Sequence, residues 1–186
     1  MVRKTIAGLT AVALVAGFAV AAELKSGPQT GEKVPGPFHP LNINGEKAGQ
    51  KNCLYCQNGP NPVAVVFARS TDCEETAKLL KKLDEATAKH TKCEMGSYAV
   101  YLTDDDKAEE KLKALVKNQG LKNLIVAVDN PAGPEKYQIN KDADVTVLLY
   151  TDHVVKANHT FKKGELNDAK IDEVVKDVAK ILPENK

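Results

Sequence analysis

The chain has 186 residues, of which 27% are charged, and its 26 basic and 25 acidic residues leave a formal net charge of +1. This near balance excludes the strongly basic surface by which proteins bind nucleic acid, and it gives no reason to expect attraction to an anionic membrane. The length suits one domain with a substantial hydrophobic core.

The first 21 residues predict a signal peptide. Arg3 and Lys4 precede an apolar run from Thr5 to Val20, and Ala19-Val20-Ala21 has the small residues that a signal peptidase accepts. The run is short for a membrane span, although a retained N-terminal anchor is the alternative. Cleavage would remove two of the basic residues and none of the acidic ones, which leaves a net charge of −1.

A cleaved signal peptide implies an exported protein, either periplasmic or secreted. We expect no nucleic-acid partner and no stable membrane association after cleavage. Export also means that disulfides are permitted, so the four cysteines of the chain cannot be assumed to be free thiols.

Residues 22–62 are predicted to form an extended N-terminal segment, since they are rich in glycine and proline. Asn44-Gly45 is a strong turn dipeptide and favours a hairpin. The segment also contains Cys53 and Cys56 within the sequence Cys-Leu-Tyr-Cys. The predicted main domain follows this segment and covers residues 63–183.

Predicted strands and helices alternate from residue 63 onward. The strands are apolar runs bounded by turn signals, and they cover 63–68, 97–102, 124–128, 145–150 and 154–161. The helices have apolar residues at helical spacing, and they cover about 72–88, a stretch that ends at Gly120, and 168–182. Thr71 and Glu74 are expected to form a capping box for the first helix, and Thr103 to cap the second with the acidic residues 104–106. This order predicts an α/β domain whose central, mostly parallel sheet has helices on both faces.

Three stretches of the sequence carry a family resemblance. Residues 31–42 read GEKVPGPFHPLN, residues 63–73 read VAVVFARSTDC, and residues 136–182 contain the last strand pair and the closing helix. In this order they resemble the thioredoxin-like superfamily, closest to its peroxiredoxin and redoxin branch. The resemblance implies a three-layer thioredoxin-like sandwich with a mixed central sheet. It also implies thiol–disulfide chemistry, with protein thiols or disulfides as partners and no cofactor.

The sequence departs from that family at the reactive site. The family has a Cys-x-x-Cys or a Thr-x-x-Cys motif after the first core strand, whereas Cys73 stands here without a second cysteine and Ser70 precedes it by three residues. The family's cis-proline before the fourth strand is replaced by residues 144–146, which read Asp-Val-Thr. Both departures favour an alternative interpretation, a non-catalytic binding or scaffold module with a structural disulfide.

Cys73 is the less favourable candidate for a catalytic thiol. Its predicted place in the first turn of a helix favours a thiolate through the helix dipole. Asp72, Glu74 and Glu75 oppose that effect, because like charges disfavour a thiolate. The carboxylates are expected to outweigh the dipole.

The predicted elements separate Cys73 from the other three cysteines. A helix over residues 72–88 spans roughly 24 Å, whereas a disulfide needs Cα atoms within about 7 Å, so Cys73 cannot bond to Cys93. Cys53 and Cys56 precede the first core strand and Cys93 precedes the second. These three are therefore expected at the amino-terminal edge of the sheet.

Three interpretations of Cys53 and Cys56 remain open. As a redox pair, helped by Lys51, the more exposed sulfur attacks a partner disulfide and the second sulfur resolves the mixed disulfide. As part of a metal site, the pair joins His90 and Cys93 in the Cys₃His set that tetrahedral zinc uses. As a structural feature, one of the two bonds to Cys93. Export favours oxidised cysteines over bound metal, so we favour the redox pair.

Overall fold

The computed structural model describes residues 24–183. The predicted signal peptide, residues 1–21, lies outside the described residues. None of the helices within residues 24–183 has both the length and the apolar character that crossing a membrane requires.

Six strands and four α-helices form within residues 24–183. The strands are β1 (Leu41–Asn42), β2 (Val63–Ala68), β3 (Gly96–Leu102), β4 (Leu124–Asp129), β5 (Val145–Thr151) and β6 (Val154–Phe161). The helices are α1 (Leu54–Asn58), α2 (Glu74–Lys89), α3 (Ala108–Gln119) and α4 (Asp168–Asp177). Short 3₁₀ turns lie at Thr91–Cys93, Glu135–Tyr137 and Val178–Lys180.

The six strands form one mixed sheet in the order β1-β4-β3-β2-β5-β6. Strands β2, β3 and β4 are parallel, while β5 runs antiparallel to β2 and β6 runs antiparallel to β5. Val63 lies opposite Gly96 and Ser97 lies opposite Leu124, so the parallel strands begin at a common edge. The predicted mixed central sheet is confirmed.

The long helices lie on one face of the sheet. Leu80 of α2, Leu112 of α3 and Val174 of α4 belong to a single buried cluster with alternate strand residues. Two successive crossovers that advance in the same direction with the same hand place their helices on the same face, which explains α2 and α3. The layer on that face is therefore entirely helical.

The opposite face is covered mainly by the N-terminal segment. Phe38, Leu54 of α1 and Tyr137 pack there with the other set of strand residues. Because both faces are covered, every residue of β2 is buried, as a continuous apolar run predicts. The three expected layers are present, but the helices of this third layer are short.

The N-terminal segment also forms hydrogen bonds along the two outermost strands of the sheet, β1 and β6. On one edge the chain reverses over residues 43–50, and the Gly49 amide donates to the Asn42 carbonyl at 2.8 Å. On the other edge the Gly31 amide donates to the Val155 carbonyl at 2.8 Å, and the Val155 amide donates to the Glu32 carbonyl at 2.9 Å. The predicted hairpin is confirmed, although its loop is longer than two residues.

Arg69 fastens the loop that joins β4 to β5. Its guanidinium donates hydrogen bonds to the carbonyls of Pro131 at 2.7 Å, Ala143 at 3.1 Å and Asn140 at 3.2 Å. The planar guanidinium carries several fixed donors, so one side chain can hold three points of an irregular loop. This loop closes the carboxyl-terminal edge of the parallel strands.

The helix starts differ from the prediction. Cys73 is the N-cap residue of α2 and makes no side-chain cap hydrogen bond, so the predicted capping box of Thr71 and Glu74 is wrong. The hydroxyl of Thr71 instead contacts the Asp72 carboxylate at 3.4 Å. Before α3, the Thr103 hydroxyl accepts from the Asp105 amide in a separate turn, and the helix begins only after it.

Candidate functional site

A disulfide joins Cys53 to Cys56 at the start of α1. Their Cα atoms are 5.2 Å apart. Cys53 is the N-cap residue of the helix, and its sulfur accepts a hydrogen bond from the Cys56 amide at 3.1 Å. The predicted pair is therefore confirmed. Cys73 and Cys93 are free thiols, so neither predicted bond to Cys93 is formed.

The two bonded residues differ in exposure. Cys53 is 9% exposed, whereas Cys56 is an exposed residue on the outer side of α1. The difference arises because Leu54, 1% exposed, anchors the helix against the sheet. A partner molecule can therefore approach the disulfide from the side of Cys56.

The end of α1 packs tightly on the start of β3. The side-chain amide of Asn58 donates to the Leu54 carbonyl at 2.8 Å, which closes the helix. Asn58 lies so close to Gly96 that a Cβ atom added to this glycine would be 1.8 Å from the Asn58 oxygen. Residues 53–58, called the disulfide segment below, can therefore occupy this position only because residue 96 is a glycine.

A turn of the β5–β6 hairpin supports the segment from another side. The ring of Tyr55 stacks on His153, with centroids 4.8 Å apart and an interplanar angle of 37°. His153 has a positive φ of 61°, and its buried Nδ1 has no hydrogen-bond partner within residues 24–183. The neighbouring Asp152 amide donates to the Pro60 carbonyl at 2.8 Å. These contacts hold Tyr55, one of the two residues between the cysteines, in place.

A depression of about 690 Å³ lies beside the disulfide. Its walls come from the hairpin after β1, from α1 and from the start of β4. Cys53 and Cys56 line it together with the basic residues Lys47 and Lys122. Lys51, which was expected to act on the pair, is exposed and is not among the lining residues.

Asp84 of α2 determines where Lys122 lies. The residue is 4% exposed, and one oxygen of its carboxylate accepts from the amides of Lys122, Asn123 and Leu124 at 2.7 to 2.9 Å. Burial raises the pKa of this carboxyl, but the backbone N–H donors outweigh burial, and the net pKa lies below its ordinary value. Asp84 is therefore a charged clamp on the loop before β4.

Cys93 and His90 lie apart from the disulfide. Cys93 packs against the core on the helical face, and its thiol donates to the His90 carbonyl at 3.1 Å. The disulfide helix packs on the opposite face through Leu54, so the sheet separates the two groups. The hypothesis of a metal site formed by Cys53, Cys56, His90 and Cys93 is not supported. No group of three or more metal-binding side chains occurs within residues 24–183.

Cys73 lies at the opposite, carboxyl-terminal edge of the sheet. Its thiol donates to the Glu75 carboxylate at 3.5 Å. The pKa of Glu75 is lowered, first by its own backbone amide and then by this thiol. Lys111, which lines the same surface depression as Cys73, is held by Asp72 at 3.1 Å and by Asp105 at 3.0 Å.

Several residues of the site were not foreseen. An acid on the buried stripe of a helix must find partners, so Asp84 could have been recognised between Leu83 and Thr87. Lys47 and Lys122 could not have been recognised in this way. They are far apart in sequence, and only the order of the strands brings them to the same depression. The same holds for Tyr55 and His153.

Comparison with known proteins identifies the fold. No family model matches the sequence, and no curated protein matches it. A candidate protein disulfide isomerase from Bacteroides thetaiotaomicron is similar in structure, with 16% identity, a TM-score of 0.64, and coverage of 86% of this chain and 94% of the other.

Two proteins of Mycobacterium tuberculosis are also similar. One is a secreted disulfide oxidoreductase homologous to E. coli DsbE, with 13% identity, a TM-score of 0.57 and coverage of 76% and 94%. The other is the peroxidoxin BcpB, with 11% identity, a TM-score of 0.58 and coverage of 87% and 100%. At such low identities the likeness shows the fold alone. The chain has the thioredoxin-like fold that the sequence predicts.

Proposed function

We propose that this protein is an exported thiol–disulfide exchange protein in which Cys53 and Cys56 alternate between disulfide and dithiol. The observation that carries the proposal is their bond itself, in which one residue is buried and the other is exposed beside an open depression. The partners are protein or peptide thiols and disulfides. The thioredoxin-like fold and the oxidoreductases among its structural neighbours support this chemistry.

The exposure difference assigns the two sulfurs different roles. A partner thiolate attacks the sulfur of Cys56, the Cys53–Cys56 bond breaks, and the electron pair leaves on Cys53. The Cys56 amide, already 3.1 Å from the Cys53 sulfur, stabilises the resulting thiolate. A better-stabilised thiolate is a better leaving group, which favours attack at Cys56 over attack at Cys53.

A second partner thiolate completes the exchange. It attacks the partner sulfur of the mixed disulfide and releases Cys56. The partner dithiol has then lost two electrons and become a disulfide, while Cys53 and Cys56 have gained two electrons and the two thiol protons. The reverse sequence reduces a partner disulfide, and the potential of the pair decides the direction.

A second candidate function is a non-catalytic module in which this disulfide is structural. The low exposure of Cys53 favours it, as does the location of the bond at the edge opposite Cys73. A structural disulfide resists reduction by cellular thiols, whereas an exchanging one does not. The two candidates therefore differ in a measurable potential.

A redox titration with thiol-trapping mass spectrometry tests the proposal. A double Cys73→Ser, Cys93→Ser variant leaves only the pair to titrate. Reversible opening above about −230 mV supports exchange. A bond that stays closed below about −300 mV would show a structural disulfide and reject the exchange function.

Export belongs to the same proposal. We place the signal peptide at residues 1–21, the N-terminal segment at residues 22–62 and the thioredoxin-like domain at residues 63–183. The secreted M. tuberculosis neighbour supports an extracytoplasmic role. Cell fractionation with N-terminal sequencing tests it. A mature chain that begins near residue 22 outside the cytoplasm is expected, and an uncleaved cytoplasmic chain would contradict it.

A further inference from the structure

We propose that the depression beside the disulfide binds carboxylate-bearing peptide thiols and their disulfides. This inference rests on the proposed exchange at Cys53 and Cys56 and names the class of substrate that the site takes. Its support comes from the charges around the depression, from one unpaired acceptor in its wall, and from the contacts that fix its walls.

The charge around the depression is positive. Lys47 and Lys122 are exposed and line it on two sides, and neither takes part in the ion pairs formed among residues 24–183. Glu46 is the single acidic residue among those that line it. Two unpaired ammonium groups next to a reactive sulfur attract carboxylates.

Several acidic side chains lie at the opposite edge of the sheet, near Cys73. Around Cys73 the exposed side chains include Asp72 and Glu74, and the acidic stretch 104–106 follows β3 at the same edge. A fixed separation of charge across a molecule steers a charged ligand toward the complementary end. The acidic side chains beside Cys73 therefore favour an anionic thiol less than the two lysines beside Cys56 do.

An unpaired acceptor in the wall calls for a hydrogen-bond donor. Asn42 is 2% exposed and lines the depression, and its side-chain oxygen has no hydrogen-bond partner within residues 24–183. A buried acceptor without a partner is destabilising, so a ligand that brings an N–H group gains from meeting it. A peptide amide supplies such a group and a simple carboxylic acid does not.

The walls of the depression are fixed with respect to each other. The Asn44 side chain donates to the Leu124 carbonyl at 3.0 Å and accepts from the Val126 amide at 2.7 Å, which ties the hairpin to β4. Asp84 holds the backbone of Lys122. A volume of about 690 Å³ lies within the usual range of small-ligand sites, about 300 to 1,000 Å³. A ligand of tripeptide size fits this space.

The test compares small disulfides of different charge as oxidants of the reduced protein. The Cys56 thiolate attacks the probe and releases one thiolate, and Cys53 then displaces the second and reforms the Cys53–Cys56 bond. Glutathione disulfide is the anionic peptide probe, hydroxyethyl disulfide the neutral one and cystamine the cationic one. We expect wild-type protein to prefer glutathione disulfide over cystamine, and the preference to decrease as salt is added.

Two double variants with the same change in net charge distinguish an effect of the lysines at the site from an effect of the overall charge. Lys47→Gln with Lys122→Gln is expected to lower the anionic-to-cationic rate ratio by about tenfold at low salt. The control, Lys141→Gln with Lys163→Gln, removes two exposed lysines that lie toward the other edge of the sheet. An equal loss in the control, or no charge preference in the wild type, would overturn the inference.

Two further arms separate the possible outcomes. Disulfide-linked nonapeptides with aspartates or lysines beside the cysteine replace the small probes. A preference for the acidic form supports the inference. The rate with the acidic nonapeptide relative to glutathione disulfide tells whether a free peptide thiol or an acidic protein segment is the better ligand.

S-methylglutathione cannot exchange, so its binding to the oxidised protein tests the site even if exchange itself fails. The binding is monitored by NMR chemical shifts of the amides of Asn42 and Lys122. Absence of such shifts would reject the site.

Discussion

Tyr55, between the two bonded cysteines, stacks on His153 of the β5–β6 turn with ring centroids 4.8 Å apart. The two residues are far apart in sequence, and their contact joins the disulfide segment to the turn between β5 and β6. His153 and its neighbour Asp152 have positive φ angles of 61° and 51°, as the two central residues of this tight hairpin turn require. The turn is therefore part of the support of the disulfide.

This relationship gives the first prediction. His153→Asn keeps a residue that tolerates positive φ but removes the ring, so we expect the free energy of unfolding to fall by about 1 kcal/mol. Reduction of the disulfide by dithiothreitol should become faster. Urea unfolding of the oxidised protein measures the first effect. Tyr55→Phe keeps the stacked ring and should change neither quantity, and an equal loss in that variant would contradict the stacking argument.

The exposure difference within the pair predicts asymmetric single variants. Cys53→Ser leaves the exposed Cys56 thiol without a resolving partner, so it should accumulate a mixed disulfide. Both variants are made in the Cys73→Ser, Cys93→Ser background, because those two thiols are free. Cys56→Ser then leaves only the largely buried Cys53, which should react about tenfold more slowly with an aromatic disulfide reagent. Intact-mass spectrometry of the adducts measures both rates. Equal rates would show that Cys56 is not the entry point.

The clamp formed by Asp84 predicts a loss of stability on neutralisation. Asp84→Asn replaces a charged acceptor of three backbone amides with a neutral one, which should cost about 2 kcal/mol at neutral pH. Glu85→Gln changes the exposed neighbour and should have little effect. Urea unfolding of both variants at pH 7 provides the comparison.

The same clamp predicts a pH dependence. The pKa of Asp84 is lower in the folded protein than in the unfolded chain, so its contribution is fully present above its ordinary value near 3.8. The contribution is lost as the pH falls from that value through the folded pKa. Wild-type stability should therefore decrease more steeply than that of Asp84→Asn below about pH 4. Parallel curves would show that the carboxylate is not the cause.

The guanidinium of Arg69 predicts that charge alone cannot replace it. Arg69→Lys keeps the charge but offers no planar set of donors for three carbonyls, so it should lose on the order of 2 kcal/mol, close to the loss in Arg69→Ala. Hydrogen exchange over residues 131–143 should rise in both variants. A fully stable lysine variant would contradict this assignment.

The contact between Gly96 and Asn58 predicts that Gly96→Ala is destabilising and that a second substitution, at Asn58, relieves the loss. Gly96→Ala places a methyl group where the Asn58 side chain lies, so α1 must shift, at a cost of about 2 kcal/mol. In an Asn58→Ala background the same change should be nearly neutral. A double-mutant cycle on urea unfolding measures this coupling. Additive losses would show that the clash is relieved elsewhere.

Most of the regular structure was predictable from the sequence. Strands such as β2 and β6 were predicted with the observed bounds, because apolar runs between turn signals have few alternatives. Helix α1 was not predicted, since five residues with one buried side chain, Leu54, do not form a stable helix by themselves. Tertiary packing and the disulfide hold it.

The candidate site was predictable only in part. The short spacing of Cys53 and Cys56 indicated the pair, and the common edge of parallel strands placed Cys93 near it. The sequence did not reveal on which face of the sheet each group lies, and this decided against the metal site. The charges beside the disulfide depend on strand order, which local patterns do not specify.

The hydrogen bonds that the N-terminal segment makes to both edges of the sheet have a consequence for self-association. An unpaired strand edge is a template to which another chain can add, and long flat edges therefore promote aggregation. Here residues around Gly49 occupy one edge and Gly31 and Glu32 occupy part of the other. A chain in which this segment has not yet docked offers both edges to its neighbours, so docking of residues 31–51 protects the newly folded protein from forming intermolecular β-structure.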